Sequence, residues 1–421
     1  MKIYKFGGAS IATPAAMKNL LSIIKNADIP LVIVVSAFGK TTNALEQIAA
    51  AANDGDKDKA RELLLHIELS HNNYALELLG EEGFQQLLPR LQECYTEIQW
   101  AIDDGGIQSK DYVYDQIVCV GELLSTTLFS EYLRSEGLHN KWLDARDMIR
   151  TDSIYRDPNV DLELSGTLTR NIILPALQEV KYIVTQGFIG CTDENNSTTL
   201  GREGSDYSAA LFAYMLDAVS VTIWKDVKGL YNADPRLFPN AVQIDEITYI
   251  EVIEMAYFGA QVIHPKTIKP LENKNIPLYV KCFLDESIKG TCIKKEIDAY
   301  QYPPIIVVKK NQVLLNIRSR DLSFITDDSI SKIYNTFAAH QIKINLMQNS
   351  AINLRLGVTY EAERLKKLVD VLSRDHIVTL DKDVEILTIR HYTNNILEDV
   401  MRGKLRLLEQ KTPNTIRVVV Q

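Results

Sequence analysis

At 421 residues the chain is longer than one hydrophobic core usually organises, so two or three domains are expected. Its composition, 46% hydrophobic and 24% charged, is ordinary for a soluble globular protein. A formal net charge of −9 with no long basic run argues against nucleic acid or an anionic membrane as partner. No apolar run reaches transmembrane length and the N-terminus lacks a signal-peptide pattern, so a cytoplasmic protein is expected. The cysteines Cys94, Cys119, Cys191, Cys282 and Cys292 are odd in number and include no CxxC pair. That argues against a disulfide framework or a zinc site. His264, placed before Pro265, reads as a structural hydrogen-bonder rather than a catalyst.

The first β-run, Ile3 to Phe6, ends in Gly7-Gly8. A helix then opens with Thr13 as N-cap and Pro14 as its first residue. Met17, Leu20, Leu21 and Ile24 mark its apolar face at i, i+3, i+4 and i+7. In a strand–loop–helix unit of this kind, loop N–H groups form a nest for anionic oxygen, and Lys5 adds a point charge. An ordinary strand-to-helix turn with a surface lysine has the same local pattern.

The second strand, Leu31–Val35, is apolar on both faces, as in a buried parallel sheet. It leads into a polar loop from Ser36 to Asn43, at the strand end where open α/β sheets bind ligands. Residues 45–136 read as almost wholly helical, broken at Asp103-Asp104-Gly105-Gly106. Glu122 stands alone in the apolar stretch Ile117 to Leu128. It is either a solvent-facing residue on an amphipathic helix or a buried carboxylate that requires a partner. Strands are expected at Lys141–Leu143 and Tyr182–Thr185, then a hairpin-like segment from Thr192 to Thr198. Residues Thr199 to Ser208 place two glycines, Arg202, Ser205 and Asp206 just before a helix N-terminus, a place suited to anions. Capping accounts for Ser205 or Asp206 but not for Arg202, whose fork suits carboxylate or phosphate. Val219–Trp224 is a strand that continues into a long loop reaching Arg236, and Leu278–Cys282 is another. Alternating strands and helices predict an α/β fold with a mostly parallel sheet.

The best linker is Ala299 to Pro304. Beyond it the pattern becomes βαββαβ, with strands at Val313–Ile317, Ile342–Met347, Ile352–Val358 and Ile377–Leu380. A second copy opens at Val384–Ile389 and is incomplete in sequence, with residues 305–309 available to lend it a strand. The expected domains are therefore 1–298, 305–382 and 383–421.

Taken together, the loops resemble those of one family, the aspartate kinases of the amino-acid kinase superfamily. The matching pieces are Lys5 to Ser10, Val35 to Asn43, Gly121-Glu122-Leu123, Thr185 to Phe188, Thr199 to Asp206, Trp224 to Arg236, and Phe258-Gly259-Ala260 with His264-Pro265. The tandem C-terminal units resemble regulatory ACT domains.

The resemblance implies an ATP- and Mg²⁺-dependent transfer to the side-chain carboxylate of L-aspartate, giving 4-phospho-L-aspartate. It assigns catalysis to Lys5, Gly7, Gly8 and Asp206. Substrate contacts fall to Ser36, Thr42, Glu122, Phe188, Arg202 and Ser205, with Arg202 on the α-carboxylate and Glu122 on the ammonium. Nucleotide contacts fall to Trp224, Lys225, Asp226, Tyr231, Arg236 and Lys266. An amino-acid effector, lysine or threonine, would meet Ile344, Asn345, Gln348, Asn349 and Ser350, and a homodimer or larger homo-oligomer is expected.

The chain departs from the family pattern at Ala9 (Thr), Glu203 (Gly), Gln261 (often Lys) and Lys225 (often Thr). Glu203 would stand beside Arg202 and compete for it, and Lys225 or Lys266 would replace the charge absent at Gln261. Two alternatives stay open at this stage: a kinase for a glutamate-type substrate, and a non-catalytic amino-acid sensor.

Overall fold

The computed structural model describes residues 1–261, 263–297 and 302–421. Residues 299–301 of the expected linker lie outside them. The chain divides into two compact units. The first comprises Met1–Leu230, Gln243–Ile253 and Val262–Asp298, and the second Tyr231–Val242, Glu254–Gln261 and Ala299–Gln421.

The first unit is built on strands β1 (Lys2–Phe6), β2 (Leu31–Val35), β3 (Asn140–Leu143) and β4 (Tyr182–Gln186), with a small hairpin of β5 (Ile189–Cys191) and β6 (Ser197–Thr199). It continues with β7 (Val221–Lys225), β8 (Glu246–Thr248), β9 (Leu278–Cys282) and β10 (Thr291–Lys294). The main sheet runs β3-β4-β2-β1-β7-β9-β10-β8. All its pairings are parallel except β9 with β10. The mostly parallel reading therefore holds, while β8, β10 and the small hairpin strands are too short to show a pattern in sequence. All five residues of β2 are buried, as a strand covered on both faces must be.

Helices α1 (Pro14–Lys25), α2 (Thr41–Asn53), α3 (Lys57–Asp103), α4 (Lys110–Val118), α5 (Val120–Ser135), α6 (Leu162–Glu179), α7 (Gly204–Leu216) and α9 (Pro265–Asn273) accompany these strands, and α8 (Tyr249–Phe258) is divided, its residues from Glu254 on counting with the second unit. Thr13 caps α1 through a bond from Ala16 N–H, as its position before Pro14 predicts. The long α3 is really two helices, because Gly80 (φ 71°) breaks it. Helix α5 is buried along nearly its whole length, from Val120 to Ser130, which settles Glu122 as a buried carboxylate.

The second unit carries β11 (Ile305–Ser319), α10 (Asp327–Ala339), β12 (Ile344–Asn349), β13 (Asn353–Thr359), α11 (Ala362–Leu372), β14 (His376–Arg390), α12 (Asn394–Met401), β15 (Arg406–Lys411) and β16 (Thr415–Val420). Its single antiparallel sheet runs β12-β13-β11-β14-β16-β15. Four stretches read from sequence as separate strands are halves of two long ones. Residues 305–309 pair with 386–390, and the later part of β11 pairs with residues 376–384. Residues 305–309 thus supply a strand beside the second repeat, and the expected boundary at 382/383 falls inside continuous β14. The register shifts between Lys309 and Leu314 form a bulge, with Asn311 (φ 57°) and Asp383 (φ 55°) left-handed at the bend.

One core lies under α10 and α11, with Leu315, Phe337, Leu356 and Leu368, and another under α12, with Leu387, Ile389 and Val418. Phe337 is 1% exposed. Phe337→Ala should cost about 3–5 kcal/mol in the urea transition of this unit. A loss under ~1 kcal/mol would contradict the packing.

Candidate active site

The parallel register sets Lys5 beside Ile223. Lys225 lies two residues on, and strand side chains alternate faces, so both lysines project from one face of the sheet. Between them stands Asp206, in the first turn of α7. Its Oδ1 lies 2.7 Å from Lys5 Nζ and its Oδ2 3.4 Å from Lys225 Nζ. Asp206 is 3% exposed. Burial alone would raise its pKa, but Lys5 and then Lys225 outweigh that cost and hold the carboxylate below its usual range. Trp224, on the opposite face, stacks on Phe6 (21° between planes, 6.2 Å) and meets Tyr4 edge-on. It is a buried wall residue, not a companion of Lys225 in one pocket.

Gly7 and Gly8 follow β1. A Cβ on Gly8 would meet the Ala37 carbonyl oxygen at 2.5 Å, so only glycine lets this loop lie on the loop after β2. Those two loops are joined by Gly39 N–H donating to Gly8 O and Ser36 N–H donating to Phe6 O. Helix α5 packs beneath, where Ser125 Oγ donates to Ser36 O. Glu122 Oε1 accepts from Ala37 N–H at 3.1 Å, while its Oε2 is buried with no hydrogen-bond partner among the described residues. Burial pushes this carboxyl up to about 8, against the pull of the Ala37 and Glu122 N–H groups and of Lys5. Thr42 lies in the first turn of α2, in the same loop system.

Phe188 adopts a left-handed φ of 70°, and its N–H donates to Ser208 Oγ on α7. Gly187 is forced to be glycine, because its Cβ would meet Ser205 Cβ at 2.6 Å. Ser205 is buried beside it. Arg202 is exposed and makes no hydrogen bond or ion pair among the described residues.

The expected competition from Glu203 does not occur. Its Oε2 accepts from His264 N–H at 3.0 Å, which turns the carboxylate onto the start of α9 and away from Arg202. His264 caps α9 by accepting from Lys266 N–H, the structural role expected of it. Lys266 is committed to Asp157 at 2.6 Å. Of the two lysines considered in place of a charge at Gln261, only Lys225 joins the Asp206 cluster. Asp226 is exposed. Tyr231 and Arg236 belong to the second unit, and the Arg236 fork is spent on Asp234 at 3.0 and 2.8 Å.

Sequence reading missed Asp115. It is fully buried in α4, and it accepts from the Thr199 N–H and hydroxyl and from Arg156 N–H. It fixes the strand that leads to Arg202. The sequence signal was weak: in Val113-Tyr114-Asp115-Gln116-Ile117-Val118 a second polar residue makes Asp115 read as part of a solvated helix face.

In the second unit, the expected effector residues separate. Asn345 is 8% exposed and its amide is fully used. It accepts from Lys309 Nζ and donates to Gln312 Oε1 and Thr359 Oγ1. It is a prop within the unit rather than a free contact for a ligand. Ile344 is half-buried, and Gln348, Asn349 and Ser350 are exposed.

A parallel α/β sheet whose strand ends hold paired lysines around a buried carboxylate, beside a glycine loop, is the site of an enzyme that handles anionic groups. A profile of the amino acid kinase family matches residues 1–282. Lysine-sensitive aspartokinase 3 of Escherichia coli (strain K12) is 32% identical over 358 residues, 84% of this chain and 77% of that protein. The crystal structure of E. coli aspartokinase III with lysine and aspartate (T-state) superposes with a TM-score of 0.85 at 27% identity, covering 100% of this chain and 96% of that one. The same enzyme with aspartate and ADP (R-state) gives 0.80 at 28% identity and the same coverage. The chain belongs to the aspartokinases of the amino acid kinase family.

Two measurements test this geometry. Glu203 sits at φ 54°, a conformation costing a non-glycine residue about 1 kcal/mol, against a bond worth a similar amount. Glu203→Gly should therefore leave unfolding stability within ~1 kcal/mol of wild type, while Glu203→Ala should lose ~1 kcal/mol. No loss in Glu203→Ala would remove the His264 tie, and equal losses in both variants would remove the backbone strain at Glu203. The second concerns Glu122, whose carboxyl ionises near 4.5 when unperturbed and near 8 in the fold. Between those values the folded state holds the extra proton, so stability falls as pH rises. Unfolding free energies from urea titrations between pH 5 and 8 should fall for wild type relative to Glu122→Gln, by up to ~1.4 kcal/mol per pH unit. Parallel curves would show that Glu122 is already ionised.

Proposed function

We propose that the chain transfers the γ-phosphoryl group of ATP to the side-chain carboxylate of L-aspartate, giving 4-phospho-L-aspartate and ADP. The observation that carries this reading is the buried, unpartnered Oε2 of Glu122 beside the lysine–aspartate cluster. An acceptor in that setting demands a cationic donor, and the ammonium of an amino acid supplies one. The E. coli relative crystallised with aspartate and ADP supports the same choice of substrates.

The chemistry follows from these side chains. An aspartate side chain is ionised near neutrality, with a pKa of about 3.9, so no general base is required. The task is to bring two anions together and hold them in line. Lys5, with the Gly7 and Gly8 N–H groups, neutralises the phosphoryl group in flight. Asp206 holds Lys5 and Lys225 in place. Arg202, free of Glu203, takes the α-carboxylate, and Glu122 takes the ammonium and gives up its proton to do so. Ser36, Thr42, Phe188 and Ser205 complete the substrate pocket, and Lys225 and Asp226 stand on the nucleotide side.

Mg²⁺ would be carried largely on the phosphate oxygens of ATP, where it would supply further charge neutralisation. The catalytic region lies within 1–298, and the two ACT-like repeats of 305–421, which share the long strands β11 and β14, bind an amino-acid effector and pair in a homodimer. The lysine complex of the E. coli enzyme makes lysine the first effector to try.

The test is release of ADP by the purified chain with ATP and Mg²⁺, against aspartate, glutamate and no acceptor. Aspartate-dependent turnover is expected, with Lys5→Ala reducing it by about 10² or more. Turnover with glutamate alone would shift the assignment to a longer substrate. No turnover would favour a non-catalytic sensor. Normal turnover by Lys5→Ala would overturn the role given to the phosphate loop.

A further inference from the structure

Lys309 on β11, Lys343 just before β12 and Arg417 on β16 converge around Asn345. Lys309 Nζ donates to Asn345 Oδ1 at 2.6 Å, and Arg417 Nη2 donates to the Asn345 carbonyl oxygen at 2.6 Å. Among the described residues none of the three cations has a carboxylate within ion-pair distance. In place of a counter-charge they meet ring faces: the Arg417 guanidinium lies 4.9 Å from the Phe258 ring centre, and Lys343 Nζ lies 5.9 Å from that of Tyr257. Among the described residues Arg417 Nε is buried with no acceptor.

This arrangement is costly. A buried donor left unpaired forfeits its hydration, and like charges gathered in a partly desolvated place repel. Lys309 records that cost: burial lowers its pKa, and Lys343 and Arg417 lower it further. Arg417 is also pushed down by burial. A merely solvated basic face would leave all donors in water, which the buried Nε rules out. Every contact here is internal to the second unit, so the cluster does not belong to the catalytic loops.

We propose that Lys309, Lys343 and Arg417 form a binding site for a small anion, a carboxylate or phosphate group, with the buried Arg417 Nε–H as its innermost donor. Such a ligand satisfies the orphan donor and relieves the repulsion in one step. Asn345 serves as the keystone that aims two of the cations through its side-chain and backbone oxygens. This inference is independent of the substrate assignment, because its readout is melting temperature.

The full chain is titrated with inorganic phosphate and, separately, acetate, each at fixed ionic strength made up with chloride. Wild type should show a saturable rise in melting temperature. Arg417→Met should weaken the apparent affinity by about tenfold or more, the loss of one charge-assisted hydrogen bond. Lys343→Met, an exposed position that does not threaten folding, should weaken it several-fold. Lys5→Ala should keep the response, since the phosphate loop is elsewhere. A response to phosphate alone identifies a phosphoryl ligand, and a response to acetate as well identifies a carboxylate. No saturable rise in wild type, an unchanged response in Lys343→Met and any folded Arg417→Met, or a response lost only in Lys5→Ala would overturn the proposal.

Discussion

The catalytic unit depends on one buried charge, the Asp206 carboxylate held by Lys5 and Lys225. Each lysine sits at or near the C-terminal end of a parallel strand, and Asp206 opens a helix whose first N–H groups carry partial positive charge. Removing any one member leaves the others in trouble. Without Asp206 two ammonium groups repel near the sheet, and without the lysines a carboxylate 3% exposed would be driven to its neutral form. The ends of β1, β7 and α7 are therefore tied by charge where an incoming phosphate requires positive potential.

Glu122 and Asp206 are both buried, yet burial has opposite outcomes. Asp206 has its cations built in and stays ionised. Glu122 has only the Ala37 and Glu122 N–H groups and the pull of Lys5 against its burial, and its proton is retained. Two carboxylates whose environments drive their pKa values apart divide the labour of a site. One is permanent scaffolding, and the other awaits a cation. Asp115 is intermediate: burial raises it to about 6, while three donors spread over Thr199 and Arg156 pull it back. Its partners are all within the fold, so it serves structure alone.

Much of this was legible in the sequence because it rests on local patterns. The glycine loop, the Thr13 cap, the all-apolar β2 and the acid alone in an apolar helix are each readable within a dozen residues. Face parity separates two residues expected together at the nucleotide: Lys225 and Trp224 are adjacent in a strand, so their side chains leave opposite faces of the sheet, and Trp224 lies with Tyr4 and Phe6. What could not be read depended on contacts distant in the chain. Glu203 turns to His264, 61 residues on, and Lys266 turns back to Asp157, 109 residues earlier. Sequence proximity made Glu203 a rival of Arg202, whereas a left-handed residue at a helix start projects its side chain along a path that linear order does not reveal.

The C-terminal sheet shows a different limit. Reading strands as short, hydrophobically bounded runs split β11 and β14 at Asn311 and Asp383, polar left-handed residues that resemble turns. They are bends inside continuous strands. That difference alters the mechanics of the unit. Two repeats joined by a loop would move independently, but here each long strand supplies a half to both repeats, and the two pair with each other through both halves. A displacement at one repeat must either travel along the ladder or be absorbed at the bulge between Lys309 and Leu314, where the register already shifts. Lys309 stands at that bulge and is tied to Asn345 on β12 across the sheet. The place where the two repeats are mechanically joined is thus also where unpaired positive charge collects, and charge placed at a bend acts on both halves of the strand at once.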